Sequence, residues 1–331
     1  MHKSYLALIR DEEAQRNVLR HDKTQKLEGI CAELCFQEHL LHSSFEAYSA
    51  GWWFQSSGDS YRVIKLCVQG INELTVLDHQ IIMHLHERGL RCYVVEFART
   101  EGNFYGSAFI GQELSEFVRQ WPKTRSLHPP KKAVLPTPIG DLRKEDAIRH
   151  ILHKGLLFET AVERLFANFH LSPPTWDIDY FAFHNGRLIG FEMKQKYPIR
   201  NGNFGLNTGL VNLFRYLAGK DVEVAHVILT KPIWDDSYPA IHLYSDKELK
   251  QKCLWLGALF GSEMHSEKTY TAPSKTSYGG NSLLNYHNIA VREFSKIGEF
   301  GSLPDLPLLA FLGGNCPKLT SLRDISEVKN R

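Results

Sequence analysis

The sequence predicts an α/β protein of two domains joined by a linker. Three observations predict it: a strand, a helix and a strand in succession near the amino terminus, a hairpin in the second half, and a proline-rich segment between them. The chain has 331 residues, which is enough for two domains that each bury a core. We therefore expect a smaller α/β domain over residues 1–121 and a larger α/β domain over residues 139–331.

The amino-terminal part alternates between apolar runs and an amphipathic segment. Residues 62–69 and 91–98 are apolar runs of strand length, and residues 75–88 have helical spacing and end at Gly89. Parallel strands need a crossover of this kind, so we expect a parallel β-α-β unit. Residues 11–42 are predicted to be largely helical.

The linker is predicted from composition. Residues 122–138 contain five prolines and four basic side chains and have no hydrophobic periodicity. Proline-rich segments adopt stiff, extended conformations. We expect this segment to separate the two domains.

Two apolar runs in the second half predict a hairpin. Residues 180–183 and 188–191 are apolar, and the Asn185-Gly186 dipeptide between them is typical of a tight hairpin turn. Near-continuous apolar character indicates that both faces of these strands are covered, as in the mixed sheet of an α/β domain.

Three charged residues lie at the open end of this hairpin. Asp179 opens the first strand, while Glu192 and Lys194 close the second strand two residues apart and so share a face. Two converging carboxylates suit a hard cation such as Mg²⁺ or Mn²⁺. A lysine on the same face can orient a water molecule or hold a phosphate oxygen. The pattern predicts metal-dependent hydrolysis of a phosphodiester.

Ordinary structural roles are the alternative for each acid. The hairpin charges could form a salt bridge that merely faces water. Asp177, two residues before Asp179, is either a second ligand or a polar residue at the strand entrance. Glu159 and Glu163 are one turn apart near the start of a predicted helix, where acids also complement the helix dipole.

These residues resemble a known signature. Asp179 followed by Glu192-Met193-Lys194 resembles the Asp and Glu-x-Lys signature of the PD-(D/E)xK nuclease superfamily, with a spacing similar to that of archaeal Holliday junction resolvases. Residues 155–159, Gly-Leu-Leu-Phe-Glu, resemble the Gly-x-x-Phe-Glu helix of Mrr-type restriction endonucleases. The resemblance covers roughly residues 142–232.

The resemblance implies a restriction-endonuclease-like core, with a mixed central sheet flanked by helices, in the carboxy-terminal domain. It implies a Mg²⁺-dependent (or Mn²⁺-dependent) endonuclease that cuts DNA in restriction, defence, recombination or mobile-element biology. The implied metal ligands are Asp179, Glu192, Glu159 and the backbone carbonyl of Met193, while Lys194 positions the attacking water. A homodimer is a further implied option, since many relatives cut both strands as dimers.

Polar and basic residues after the hairpin extend the predicted site toward nucleic acid. We expect contacts with substrate phosphates from Gln195, Lys196, Arg200 and Lys231. Between them, a helix is predicted from a cap at Asn207 to a stop at Gly219, then a buried strand over residues 222–230. Residues 246–259 are predicted to form a further helix.

Two alternative functions share this fold. One is an effector nuclease released by a small molecule or protein partner at residues 1–121, and the other is a catalytically silent nucleic-acid-binding protein. Near-neutral charge, with 39 basic and 37 acidic side chains, predicts that nucleic-acid contacts are local. Six cysteines without a paired framework, no signal peptide and no membrane-length apolar run predict a cytoplasmic protein that contacts no membrane.

Overall fold

The computed structural model describes most of the chain. The described residues are 5–22, 24–43, 48–110, 113–115, 119–123, 138–172, 174–196, 198, 202–230, 241–242, 246–261, 267–273, 283–299, 301–321 and 325. Within those ranges, no helix is both long enough and apolar enough to cross a membrane.

The described residues form a mixed α/β protein. Its α-helices are α1 (Leu6–Arg10), α2 (Glu12–Arg20), α3 (Thr24–Leu41), α4 (Val76–Glu87), α5 (Pro138–His153), α6 (Leu157–Phe169), α7 (Thr208–Ala218), α8 (Lys247–Gln251) and α9 (Asp305–Leu312). Its strands are β1 (Ser49–Ser57), β2 (Ser60–Val68), β3 (Arg91–Ala98), β4 (Asn103–Ile110), β5 (Glu113–Leu114), β6 (Arg119–Gln120), β7 (Thr175–His184), β8 (Arg187–Gln195), β9 (Asn203–Asn207), β10 (Glu223–Thr230), β11 (Leu254–Phe260), β12 (Glu267–Pro273), β13 (Leu283–Ala290) and β14 (Ser295–Glu299).

The chain divides into two compact units, each built from two segments. The first unit contains residues 1–27 and 49–178, and the second contains residues 28–48 and 179–331. The division therefore falls inside α3 and inside β7. Residues 124–137 of the predicted linker lie outside the described part of the chain, and the domain boundary at the linker stays a prediction.

The first unit contains the predicted β-α-β unit. Strands β2 and β3 pair in parallel from Arg62 with Arg91 to Val68 with Phe97, and α4 connects them. Thr75 caps α4, because its side chain accepts a hydrogen bond from the Asp78 amide while Asp78 bonds back to the Thr75 amide. Strands β1 and β4 flank the parallel pair in antiparallel orientation. The predicted β-α-β unit is confirmed.

Helix α6 packs on these strands and closes the core of the first unit. The core is apolar and includes Trp53, Ile64, Val95, Phe97, Phe104 and Phe166. Each of these side chains is at most 4% exposed. The burial of so many large apolar groups is the main stabilising contribution to this unit.

The second unit contains a mixed sheet in the order β14-β11-β10-β8-β7. Strands β7 and β8 form the predicted hairpin, and positive φ angles of 50° at Asn185 and 74° at Gly186 give the turn that such a pair favours. Strand β10 pairs with β8 in parallel and with β11 in antiparallel orientation. The hairpin and the predicted strand over residues 222–230 are confirmed.

Helices cover this sheet within the second unit. Helix α7 packs on β10 and begins at Asn207, whose side chain accepts a hydrogen bond from the Gly209 amide at 2.7 Å. Its C-terminal cap is Gly219, as the sequence predicts. On α3, the Phe36 ring lies 5.4 Å from the Phe191 ring and 6.1 Å from the Trp255 ring.

The predicted helix over residues 246–259 is wrong. Helix α8 ends at Gln251, and residues 254–260 form β11. Because β11 is buried on both faces, its sequence Leu-Trp-Leu-Gly-Ala-Leu-Phe shows no alternation that would distinguish it from a buried helix. Gly257 lies against α9, where an added Cβ would be 2.7 Å from Phe311 Cζ.

Candidate functional site

The end of the β7–β8 hairpin holds the candidate site in the second unit. The antiparallel register pairs Tyr180 with Phe191, so its continuation by one residue places Asp179 opposite Glu192. Side chains at directly opposite positions have Cβ atoms about 5 Å apart on the same face. The two carboxylates that the sequence selects are therefore neighbours across the hairpin.

The Asp179 carboxylate is fixed by the opposite strand. Its Oδ2 atom accepts a hydrogen bond from the Met193 backbone amide at 2.5 Å. Asp179 is partly exposed, whereas Met193 is buried on the other face of β8. One carboxylate oxygen is thus held beside the backbone of the Glu-x-Lys segment.

Glu192 and Lys194 form an ion pair at the same place. The Glu192 side chain is fully buried, and the Lys194 Nζ atom lies 2.5 Å from its Oε1 atom. A buried carboxylate is costly unless a cation or hydrogen bonds compensate it. Lys194 supplies that charge while 28% of its side chain stays exposed, so its amine also reaches solvent.

His226 is a member of this group that the sequence analysis missed. On β10 it pairs with Glu192 in the parallel register, and its Nδ1 atom lies 3.1 Å from the Glu192 backbone oxygen. Burial lowers the pKa of His226 well below its usual value, so the ring is neutral and Nδ1–H donates to that carbonyl. A single histidine in the run Val-Glu-Val-Ala-His-Val-Ile-Leu-Thr has no spacing that marks it as part of a site.

Aromatic rings surround the His226 imidazole. The centroids of Phe214, Phe260 and Phe294 lie 6.2 to 6.4 Å from its own. Burial in these surroundings, together with the charges of Lys196 and Lys194, lowers the pKa of His226.

Lys196 follows Lys194 on the same face of the chain. Its Nζ atom donates a hydrogen bond to the Gly205 carbonyl on β9. Burial, together with the charge of Lys194, lowers the pKa of Lys196 to about 7. Gln195 is partly buried and pairs with Leu229 of β10. Arg200 and Lys231, the other predicted phosphate contacts, lie outside the described residues.

Glu159 belongs to the first unit, where it has its own partner. The side-chain amide of Asn72 donates to Glu159 Oε1 at 3.0 Å, and burial raises the pKa of this carboxyl. Glu163, one turn later on α6, also has a pKa raised by burial. Lys26 Nζ lies 3.8 Å from Asp177 Oδ2 in the same unit.

The donor atoms of the hairpin are of the type that hard divalent cations prefer. Asp179 and Glu192 supply carboxylate oxygens, and the Met193 carbonyl between Glu192 and Lys194 is the third donor that the resemblance implies. The described part of the chain contains no group of three or more His, Cys, Asp or Glu side chains placed to hold a metal ion. The hairpin offers two side chains of this kind, Asp179 and Glu192, together with one backbone carbonyl.

Comparisons with protein-family models, with curated proteins and with solved structures found no match to this chain.

Proposed function

We propose that the protein is a metal-dependent nuclease with a restriction-endonuclease-like core, and that it hydrolyses phosphodiester bonds in DNA. The observation that carries the proposal is the convergence of Asp179, Glu192 and Lys194 at one end of the β7–β8 hairpin. A structural salt bridge would explain Lys194 and Glu192. It does not by itself account for a second carboxylate, that of Asp179, on the strand that pairs with β8.

Each residue has a distinct role in this proposal. Asp179, Glu192 and the Met193 carbonyl would hold Mg²⁺ or Mn²⁺. Such an ion lowers the pKa of a bound water and neutralises charge on the scissile phosphate. When the metal binds, the Lys194 amine would separate from the Glu192 carboxylate. The amine would then orient the attacking water or hold a phosphate oxygen as a point charge.

His226 supports this arrangement as a positioning residue. Its hydrogen bond fixes the backbone of Glu192, and the neutral imidazole adds no charge to compete with a cation. Side chains that orient ligands in this way commonly alter metal affinity when they are replaced.

The test of activity is a cleavage assay on four substrates. Supercoiled plasmid, linear duplex, single-stranded DNA and RNA are incubated with Mg²⁺, Mn²⁺ or EDTA. We expect cleavage of DNA that EDTA abolishes, and a loss on the order of 10²-fold or more in Asp179→Asn and Lys194→Ala. Exposed Lys247 and Glu248 on α8 give the matched controls Lys247→Ala and Glu248→Gln, which keep full activity. A Glu159→Gln variant tests separately whether this first-unit carboxylate contributes.

Metal binding is measured independently of cleavage. Titration of the intact chain with Mn²⁺, followed by electron paramagnetic resonance, is expected to show one site that Asp179→Asn weakens and Glu248→Gln does not. Binding that is unchanged in Asp179→Asn would place the metal elsewhere and contradict the proposal. Metal binding without cleavage of any substrate would favour the effector nuclease that a small ligand controls.

The observation that favours this second candidate function is a cavity in the first unit, whose lining includes Arg10 and Arg99.

A further inference from the structure

The first unit contains a cavity of about 450 Å³ that is largely open to solvent. Its lining comes from three segments: Leu6, Ile9 and Arg10 of α1, Gln69 after β2, and Arg99 with Thr100 after β3. This volume lies within the range of small-molecule sites. The cavity lies outside the set of residues proposed to hold the metal.

The position of the cavity follows from the topology. Strands β2 and β3 are parallel and end at Val68 and Ala98, so the segments that follow them leave the same edge of the sheet. The crevice outside the carboxyl ends of parallel strands is where α/β sheets generally bind ligands.

Two arginines give the cavity its charge. The Arg99 guanidinium carbon lies 5.0 Å from the centre of the Phe158 ring, and the Arg99 amide donates to Gln69 Oε1 at 3.1 Å. Among the described residues, neither Arg10 nor Arg99 forms an ion pair with a carboxylate. Their charges are therefore available to a ligand.

The third wall is held in place by the backbone. The Tyr5 amide donates to the Gly102 carbonyl at 2.9 Å, which fixes the start of α1 against the turn after β3. Gly102 has a φ of 67°, and a Cβ added there would lie 2.8 Å from the Leu6 nitrogen. The close approach of α1 thus requires glycine at this position.

We infer that this cavity binds a small organic phosphate of mononucleotide size. Guanidinium groups match phosphate oxygens with paired hydrogen bonds, and Arg10 and Arg99 line the cavity from two different segments of the chain. Leu6 and Ile9 provide an apolar surface for a base or a similar flat group. The Gln69 amide and the Thr100 hydroxyl are neutral polar groups that add specificity.

Nearby acids favour a compact anion over a nucleic-acid strand. The Glu73 carboxylate accepts a hydrogen bond from the Gly70 amide at 3.2 Å, and Glu101 follows Thr100 in the same turn. Burial and the charge of Glu73 raise the pKa of Glu96 on β3. A polyanion crossing this edge would be repelled by these carboxylates, whereas a single phosphate presents less charge to them.

The experiment is isothermal titration calorimetry of the intact chain in EDTA, so the result does not depend on the proposed nuclease activity. The probes are the four 5′-mononucleotides, adenosine, inorganic phosphate and a short DNA duplex. We expect at least one mononucleotide to bind, and adenosine to bind at least tenfold more weakly than its monophosphate. Arg10→Gln and Arg99→Gln should each weaken binding at least tenfold.

Arg91→Gln is the matched control, because Arg91 is exposed at the opposite end of β3 from Arg99. Its affinity should equal that of the wild type. Arg99→Gln removes a contact with the Phe158 ring and could disturb the fold. Arg10 is exposed at the end of a short helix, so Arg10→Gln keeps the fold and tests the inference independently. Failure of all mononucleotides and phosphate to bind at millimolar concentration would overturn the inference. So would equal binding of adenosine, or tighter binding of duplex through the same arginines.

Discussion

A buried ion pair between Lys65 and Asp78 links β2 to α4. Lys65 Nζ lies 3.0 Å from Asp78 Oδ1, and both residues are 1% exposed. Lys65 also donates to the Ala50 carbonyl at 2.6 Å, and Ser49 donates to Asp78. Burial alone would raise the pKa of Asp78, but the charge of Lys65 and hydrogen bonds from Ser49 and Thr75 outweigh it and hold the pKa below its usual value.

Removal of one partner should therefore be costly. We expect Lys65→Met to lower the free energy of unfolding by about 3–5 kcal/mol at pH 7, since it leaves a buried carboxylate uncompensated. Urea unfolding followed by circular dichroism measures this change. The control Lys296→Met removes an exposed ion pair with Glu299 and should cost less than about 1 kcal/mol. A similar small cost for Lys65→Met would show that Asp78 is compensated by its other hydrogen bonds.

At the residue level, the spacing along one hairpin predicts which side chains share a face. Asp179, Glu192 and Lys194 were selected by alternation and a turn signal, and the structure brings those three together. His226 and Lys65 were not selected, because each is a lone polar residue in an apolar strand. Their partners are the Glu192 carbonyl and the α4 carboxylate, which become neighbours only through strand pairing and helix packing.

At the scale of elements, local signals predict some strands and helices, while packing determines others. The Asn185-Gly186 turn and the Asn207 cap are properties of a few adjacent residues, so the hairpin and α7 were predicted correctly. Strand β11 was predicted as helix because a doubly buried strand has no periodicity of its own. Its neighbours β10 and β14 determine that it is extended.

The contact between β11 and α9 gives a test of that assignment. Gly257→Ala would place a Cβ 2.7 Å from Phe311 Cζ, and the Phe311 ring is only 4% exposed. We expect a loss of about 1–3 kcal/mol in the free energy of unfolding. Gly261→Ala, at the end of the same strand, has no atom within 4 Å of the added Cβ and should be neutral.

A double mutant separates this clash from a backbone effect. Combination of Gly257→Ala with Phe311→Leu should recover part of the loss, because the smaller side chain admits the new methyl group. No recovery would indicate that the strand backbone, and not the helix contact, requires glycine.

At the scale of the whole molecule, the chain groups segments that are far apart in sequence. Residues 28–48 belong to the same compact unit as residues 179–331, and Phe36 packs on aromatic rings from β8 and β11. Sequence patterns report on neighbouring residues, so no local pattern predicts that a helix packs on strands more than a hundred residues later in the chain. The proline-rich linker does have a local compositional pattern, and its role as a domain boundary remains a prediction.

Each unit also buries a neutral histidine, which predicts how stability depends on pH. His170 in the first unit is 3% exposed, accepts or donates one hydrogen bond with the Tyr5 hydroxyl at 3.1 Å, and has a pKa lowered by burial to about 4. In the unfolded chain this histidine binds a proton near pH 6.5, whereas in the folded chain it binds one only near pH 4. His170 therefore stabilises the fold fully above pH 6.5, and this contribution is lost as the pH falls from 6.5 to 4.

The size of this effect is roughly 3 kcal/mol, from about 1.4 kcal/mol for each pKa unit. Urea unfolding of the wild type at several pH values between 7 and 4 should show a steady loss of stability. His170→Phe should flatten that slope whatever its effect at pH 7, while replacement of exposed His21 by Gln should leave it unchanged. An equal slope in His170→Phe would assign the pH dependence to other groups, of which buried His226 is the first to test.

The hydrogen bond from Asn72 to Glu159 joins two parts of the first unit. Asn72 is held to Val68 by two backbone hydrogen bonds of 2.9 Å, and the short loop between them begins at Gln69 in the cavity wall. A ligand that moves this loop would move the Asn72 donor, whose hydrogen bond to Glu159 opposes the rise in pKa that burial causes. Thermodynamic linkage makes such coupling reciprocal, so a change at Glu159 would alter ligand affinity by the same factor. The three loop residues between Val68 and Asn72 would then couple ligand binding in the cavity to the protonation and orientation of the Glu159 carboxyl group.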